Sequence, residues 1–183
     1  MLTVLGDPMA KLFLTEIPPR ETIQEEARTM FPQVNPESWY SHILLRKVTT
    51  EFEINLDKFF SQYNLSSGRF TLMILLNKYV DGLMPSELAQ MVGVTQATIS
   101  GLINSLEKVE VVQRTTHEKD GRSYVIKLTE KGKKMTGEIL PEYQTRINKF
   151  WSEFPSEEKT QINGYFERLI KQMKEIGQKP TAE

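Results

Sequence analysis

The chain contains no cysteine, which excludes disulfides, thiolate metal sites and cysteine redox switching. It has two histidines, His42 and His117. Two histidines without cysteine make a poor zinc site, and His117-Glu118 lacks the second histidine of a zinc-protease helix. No apolar run approaches the roughly 18 residues that span a bilayer. Neither a phosphate loop, a nucleophile elbow nor a suggestively spaced carboxylate pair is present. No cofactor and no catalytic residue is therefore expected. The N-terminus has no basic stretch leading into a long apolar core, and Asp7-Pro8 interrupts it early. The protein is expected to be cytoplasmic, with no membrane partner.

What is present suits a globular protein: 183 residues, 39% hydrophobic and 26% charged. That length allows one ordinary domain, or a small domain with appended helices. The net charge of −1 is uninformative about partners; the placement of positive charge matters more. Between Thr95 and Lys134 eight basic residues (Lys108, Arg114, Lys119, Arg122, Lys127, Lys131, Lys133, Lys134) face five acidic ones (Glu107, Glu110, Glu118, Asp120, Glu130). This is a mild basic patch on a slightly acidic chain.

Residues 1–34 form an extension rich in turn formers, with a short helix at 21–30. The first strong helix begins at Asn35, a good N-cap, followed by Pro36 at the position where a missing N–H costs nothing. Tyr40, Ile43, Leu44, Val48, Phe52, Leu56, Phe59 and Phe60 then hold a helical period over about six turns. Ser66 caps a second helix, apolar on nearly every side, that ends near Asp81-Gly82 and should be the buried centre. Pro85 opens a short helix over 86–92 that stops at Gly93, and Thr95 caps the next. In that helix Ile99, Leu102, Ile103 and Leu106 make one core stripe. Two strands follow, at 112–116 and 123–128, the second carrying Tyr124, Ile126 and Leu128 on one face. Thr129 caps a further helix that Pro141 should interrupt and kink. Ser156 caps a last helix striped by Ile162, Phe166, Leu169, Ile170 and Met173. A flexible tail is expected over 177–183.

The informative stretch runs from Leu83 to Gly132. A short helix, a glycine-containing turn and a second helix make a helix-turn-helix, and the hairpin directly after it has the layout of a wing. A helix fits the major groove of B-DNA, and a basic hairpin tip offers cations to the backbone or the minor groove. With its core stripe inward, the second helix presents Ala97, Gly101, Asn104 and Lys108. Thr98, Ser100 and Ser105 flank that face, and Thr95 and Gln96 lead it. All are small or hydrogen-bonding groups suited to close approach.

The phrases Pro85-Ser86-Glu87-Leu88-Ala89, Gly93-Val94-Thr95-Gln96-Ala97-Thr98-Ile99-Ser100 and Leu106-Glu107-Lys108 resemble the helix-turn-helix of MarR regulators. Asp120-Gly121-Arg122 is similar to that family's D-x-R wing tip, and Leu128-Thr129-Glu130-Lys131-Gly132 to the phrase that leaves the wing. The resemblance covers about residues 38–176. It implies a mainly α winged helix-turn-helix with a small β-hairpin wing, whose N- and C-terminal helices form a dimerisation domain. It further implies a DNA-binding transcriptional repressor acting as a homodimer on a pseudo-palindromic operator. Arg122 would contact the DNA backbone or minor groove and Asp120 would fix the wing. Arg114 matches an arginine of the wing's first strand and would pair with Asp120. The DNA-facing set is then Thr95, Gln96, Ala97, Thr98, Ser100, Gly101, Asn104, Arg114, Lys119, Asp120 and Arg122.

Two positions depart from the family pattern. Gly101 stands where an arginine is common, and Glu110 where glycine usually follows the recognition helix, so Glu110 should need an unusual backbone conformation. The family often binds aromatic anions between the dimer helices and the DNA-binding lobe. Trp39, Tyr40, His42 and Arg46 offer an aromatic wall with a nearby cation for a small aromatic acid effector. The extension and the phrase from Asp57 to Ser66 are also similar to the urate-responsive branch. Glu53-Ile54 replaces the Asp-Arg found there, so urate is not expected.

Blander readings compete. The two helices could be an ordinary core hairpin, though that leaves the following hairpin unexplained. Arg122 and Lys119 could be a solvated turn, with His117 a solvent- or phosphate-facing neighbour. Trp39 and Tyr40 could be dimer core, with Arg46 a surface residue. A protein-interaction module that kept the fold but lost DNA binding is the main rival, favoured by Gly101, Glu110 and a pI of about 6.2. The expected organisation is an extension over 1–34, a dimerisation region over 35–62 and 133–176, and a DNA-binding domain over 63–132.

Overall fold

The computed structural model describes residues 15–117 and 120–176. Lys119, Glu118, the first 14 residues and the expected tail at 177–183 lie outside the described residues, as do the side chains of His117, Asp120 and Arg122. The described elements are α1 (Arg20–Met30), α2 (Pro36–Ser61), α3 (Ser67–Lys78), α4 (Pro85–Val92), α5 (Gln96–Lys108), β1 (Val112–His117), β2 (Asp120–Leu128), α6 (Glu130–Ser152) and α7 (Ser156–Ile176).

The helix starts follow from their caps. Asn35 Oδ1 accepts from the backbone N–H of Glu37 and of Ser38, Ser66 Oγ from Arg69, Thr95 Oγ1 from Thr98 and Thr129 Oγ1 from Gly132. Each satisfies a donor the helix cannot satisfy itself. Ser156 is the first residue of α7 rather than a cap before it. Pro141 does not interrupt α6, which runs from Glu130 through Ser152 with the proline inside it. Packing outweighs the lost hydrogen bond there: Ile139, two residues earlier, is fully buried.

The core forms around α3, whose Phe70, Leu72, Met73 and Leu76 are buried. Leu88 of α4, Ile99, Ile103 and Leu106 of α5, Ile126 and Leu128 of β2 and Ile139 of α6 close over them. Burying each such side chain contributes about 1.5–3 kcal/mol. Phe59 and Phe60, from the end of α2, join the same cluster, with Leu56 packed against it, so the long helix is anchored to the core by its C-terminal turns.

The two strands are longer than their sequence pattern. They pair antiparallel from Val112↔Leu128 to Thr116↔Tyr124, and a register irregularity after Thr116 brings His117 opposite Asp120. Leu83 adds a bridge to Ile126 through two backbone hydrogen bonds of 3.1 and 2.8 Å. Burial departs from strict alternation along β2: Val125 is buried as well as Ile126 and Leu128, whereas Tyr124 is 43% exposed. The reason is position, since Tyr124 lies where the hairpin has left the core.

Candidate nucleic-acid interface

Helix α4 is set by Pro85 at its first turn and by Glu87, whose carboxylate accepts from the backbone N–H of Met84 at 2.7 Å. It ends at Gly93 with φ 69°, a left-handed conformation that lets Val94 N–H reach back to the Ala89 carbonyl at 3.2 Å. Glycine adopts that conformation without a steric penalty. The chain therefore reverses in three residues, Gly93 to Thr95, and Thr95 caps α5.

The stripe of α5 turns inward as its spacing requires: Ile99, Ile103 and Leu106 are buried and Leu102 is half-buried. Ala97, Gly101, Asn104 and Lys108 are exposed on the opposite face, together with Gln96, Thr98 and Ser100. The leading hydroxyls are already engaged, Thr95 Oγ1 lying 3.0 Å from Thr98 Oγ1. At Gly101 a Cβ would meet nothing within 4 Å. The glycine is not demanded by packing and leaves a shallow opening in the middle of the face.

After α5 the backbone turns through Glu110, with φ 61°. Glu110 N–H bonds the Glu107 carbonyl at 2.9 Å and Val111 N–H the Leu106 carbonyl at 3.0 Å. This paired pattern usually places glycine in the left-handed position. The unusual conformation expected at Glu110 is present. Lys131 Nζ bonds the Val109 carbonyl at 2.8 Å and Thr129 Oγ1 the Glu110 carbonyl at 2.7 Å, satisfying acceptors at the end of α5.

Arg114 does more than the sequence suggested. Its Nη1 donates to Glu107 Oε2 at 2.6 Å, its Nη2 to Asn104 Oδ1 at 2.7 Å, and its guanidinium lies 5.4 Å from the Tyr124 ring centroid. The described partners of Arg114 thus belong to α5 and β2; the expected pairing with Asp120 involves a side chain outside the described residues. Glu107 and Tyr124 are the members of this group that sequence reasoning missed. Glu107 sits seven residues before Arg114, a separation with no meaning until the chain has turned at Glu110.

The other expected group lies far along the chain. Trp39 is half-buried between Phe31, 4.9 Å away, and His42, 5.6 Å away, centroid to centroid. Tyr40 lies under the Arg20 guanidinium at 5.4 Å, and Arg46 is exposed on α2. Helix α1 is what meets Trp39 and Tyr40, with Ile23 and Ala27 buried beneath it. Glu37 accepts from Arg20 and from Gln24, and the Arg20 bond holds its carboxyl below the ordinary carboxylate value. A separate apolar groove of about 600 Å³ runs between α2 and α6, lined by Val48, Phe52, Leu56, Phe59, Tyr143 and Phe150 among others. None of the four expected effector residues lines it.

A model of the MarR family matches residues 65–124. The HTH-type transcriptional repressor YetL of Bacillus subtilis is 30% identical over 161 residues, covering 85% of this chain and 96% of its own. This chain belongs to the MarR family. The HTH-type transcriptional regulator PecS of Dickeya dadantii is 26% identical over 153 residues, 82% of this chain and 92% of that one. Among solved structures, the MepR–DNA complex of S. aureus superposes with a TM-score of 0.66 at 22% identity, covering 73% of this chain and 97% of that one. The MarR-family chain is therefore a DNA-binding transcription regulator with a winged helix-turn-helix fold. Within it α4 and α5 are the helix-turn-helix and β1–β2 the wing. No helix of the described residues is long and apolar enough to cross a membrane.

Proposed function

We propose that this protein is a repressor that binds a pseudo-palindromic operator as a homodimer and releases it when a small aromatic acid binds. The observation that carries the DNA-binding part is the outward face of α5, small and polar from Gln96 to Asn104 and followed directly by a hairpin. Thr95, Gln96, Ala97, Thr98, Ser100, Gly101 and Asn104 would meet the major groove, and Lys119, Asp120 and Arg122 the flanking backbone or minor groove. The second element of the operator would lie about 34 Å away, one helical turn of DNA.

Dimerisation is supported by what α7 leaves uncovered. No residue described in α7 is buried, and Phe166, Leu169, Ile170 and Met173 are all exposed, Ile170 at 68%. Val48 and Phe52 of α2 and Phe150 of α6 are exposed as well. Large apolar side chains left exposed on three helices of a lone chain mark an interface. Residues 35–62 and 133–176 would then form the dimerisation region and 63–132 the DNA-binding domain. Sedimentation of the wild type and of Ile170→Glu tests this: the wild type should run as a dimer and the variant should dissociate or aggregate. A wild-type monomer that binds an operator tightly would refute it.

Repression is supported by the similarity to YetL, a transcriptional repressor. The effector is supported by the Trp39, Tyr40, His42 and Arg46 group, since an aromatic carboxylate would gain a charge-assisted contact with Arg46 and apolar burial against Trp39 or Tyr40. CouR of Rhodococcus jostii, a relative in fold, is bound to p-coumaroyl-CoA. Release needs differential affinity for the two states of about 1–3 kcal/mol. A gel shift with the promoter of the protein's own gene, with and without salicylate, tests the whole proposal, and calorimetry on Arg46→Ala tests the site. No shift with any promoter fragment would favour a protein-interaction module instead. Equal salicylate affinity in wild type and Arg46→Ala would place Arg46 outside the pocket.

A further inference from the structure

We infer that Asn104 reads a guanine edge in the major groove, and that Arg114 is the positioning residue that orients it. The inference rests on the reading of α5 as the recognition helix. Its basis is the chain of contacts from β1 into that helix: Arg114 Nη2 to Asn104 Oδ1 at 2.7 Å, and Arg114 Nη1 to Glu107 Oε2 at 2.6 Å.

A guanidinium has donors and no acceptor. The side of the Asn104 amide that faces Arg114 must therefore be its oxygen, because an NH2 group there would set donor against donor. The two hydrogens of Nδ2 are consequently aimed away from Arg114. Asn104 is exposed on the face that also carries Gly101 and Lys108, and the open surface at Gly101 one turn earlier leaves room for a base edge to approach. Arg114 cannot swing freely, since Glu107 and the Tyr124 ring hold it on two further sides. The carboxylate of Glu107 also offsets its charge, which makes Arg114 a poor phosphate ligand.

An asparagine that reads adenine must donate to N7 and accept from the N6 amine at once. Here the accepting oxygen is bound to a cation, and the positive edge of an adenine amine would be driven against it. Guanine presents two acceptors, O6 and N7, and matches a group that offers only donors. The cytosine amine mismatches for the same reason as adenine, and thymine offers the two donors a single acceptor, O4, beside a methyl group.

The test selects duplexes from a randomised pool with the full-length protein and its variants. Wild type should enrich a guanine at one fixed position in each half-site, and replacing it by 7-deazaguanine should weaken binding about tenfold. Asn104→Ala should lose the preference at that position alone and be indifferent to 7-deazaguanine. Arg114→Lys keeps the charge but not the fork, so it should become tolerant of adenine at the same position with the wild-type salt dependence. Arg114→Ala should behave likewise; if it does not fold, the lysine variant decides. Uniform weakening across all sequences in Arg114→Ala, with a salt slope lower by about one, would make Arg114 a phosphate ligand and overturn the inference. So would an unchanged site from Asn104→Ala. A wild type that selects no sequence would overturn the recognition-helix reading as well, which separates the two failures.

Discussion

The Tyr63 phenol donates a hydrogen bond of 2.5 Å to the Glu142 carboxylate, joining the turn that ends α2 to the middle of α6. Arg146 reaches the other oxygen of Glu142 at 2.7 Å and lies 4.7 Å from the Phe59 ring centroid. A helix of the proposed dimerisation region is thereby tied to the edge of the core that carries the recognition helix. The Tyr63 bond, then that of Arg146, holds the Glu142 carboxyl below 4.5, and the same bond raises the Tyr63 phenol above 10.0.

These directions fix a pH dependence. A lowered carboxyl stabilises the fold above 4.5 and loses that contribution as pH falls through its folded value. A raised phenol stabilises below 10.0 and loses its contribution as pH rises through its own folded value. Tyr63→Phe should therefore flatten the fall of the urea midpoint on acidification and its fall in alkali. Parallel curves for variant and wild type would show that the bond does not contribute.

The left-handed turn at Glu110, φ 61°, carries a side chain where the geometry favours none. Its contact with Lys131, 3.9 Å and solvent-exposed, offsets little. Glu110→Gly should raise unfolding free energy by about 1 kcal/mol, and Glu110→Val should lower it by about 1–2 kcal/mol. Urea unfolding of both variants decides the matter, and a destabilising glycine would show that the turn is unstrained.

Gly132 opens α6 against the end of the recognition turn. A Cβ there would stand 2.1 Å from the Val111 carbonyl oxygen and 3.1 Å from Leu128 Cδ2. Gly132→Ala must push the hairpin off the helix, at a cost of about 3 kcal/mol. Chemical denaturation should record that loss, and operator binding should weaken with it. A variant as stable as wild type would mean the contact relaxes freely.

Arg122 and Arg114 should separate in a salt titration. Arg122, placed at the wing tip by its resemblance to the family's D-x-R, is expected to neutralise a phosphate or lie in the minor groove. Arg122→Ala should weaken binding to every duplex alike and lower the salt slope by about one. An unchanged slope would remove Arg122 from the interface.

Much of this protein was legible without a fold. The caps Asn35, Ser66, Thr95 and Thr129, the stop at Gly93 and the inward stripe of α5 are local features, written in hydrogen-bonding groups and in a period of 3.6 residues. The same periodicity assigned the outward face of α5 and so the candidate reading surface. Even the strain at Glu110 could be expected from the family resemblance, because glycine, which takes a left-handed turn without penalty, usually stands at that position.

Other features depended on where distant segments meet. Proline at 141 signals interruption locally, yet α6 continues because the chain around it is packed. Val125 was assigned no core face by alternation, but the strand is covered on both sides near Leu83. The partners of Arg114 were beyond local reasoning altogether: α5 and β1 converge only after the turn at Glu110, which brings Asn104 and Glu107 beneath one guanidinium. Likewise, the sequence showed an apolar stripe on α7, and only the tertiary structure left it uncovered by its own chain. Hydrogen-bond caps and helical periods act over a few residues, so the sequence alone determined them; charge pairing and the covering of apolar faces act through space, and the fold decided those.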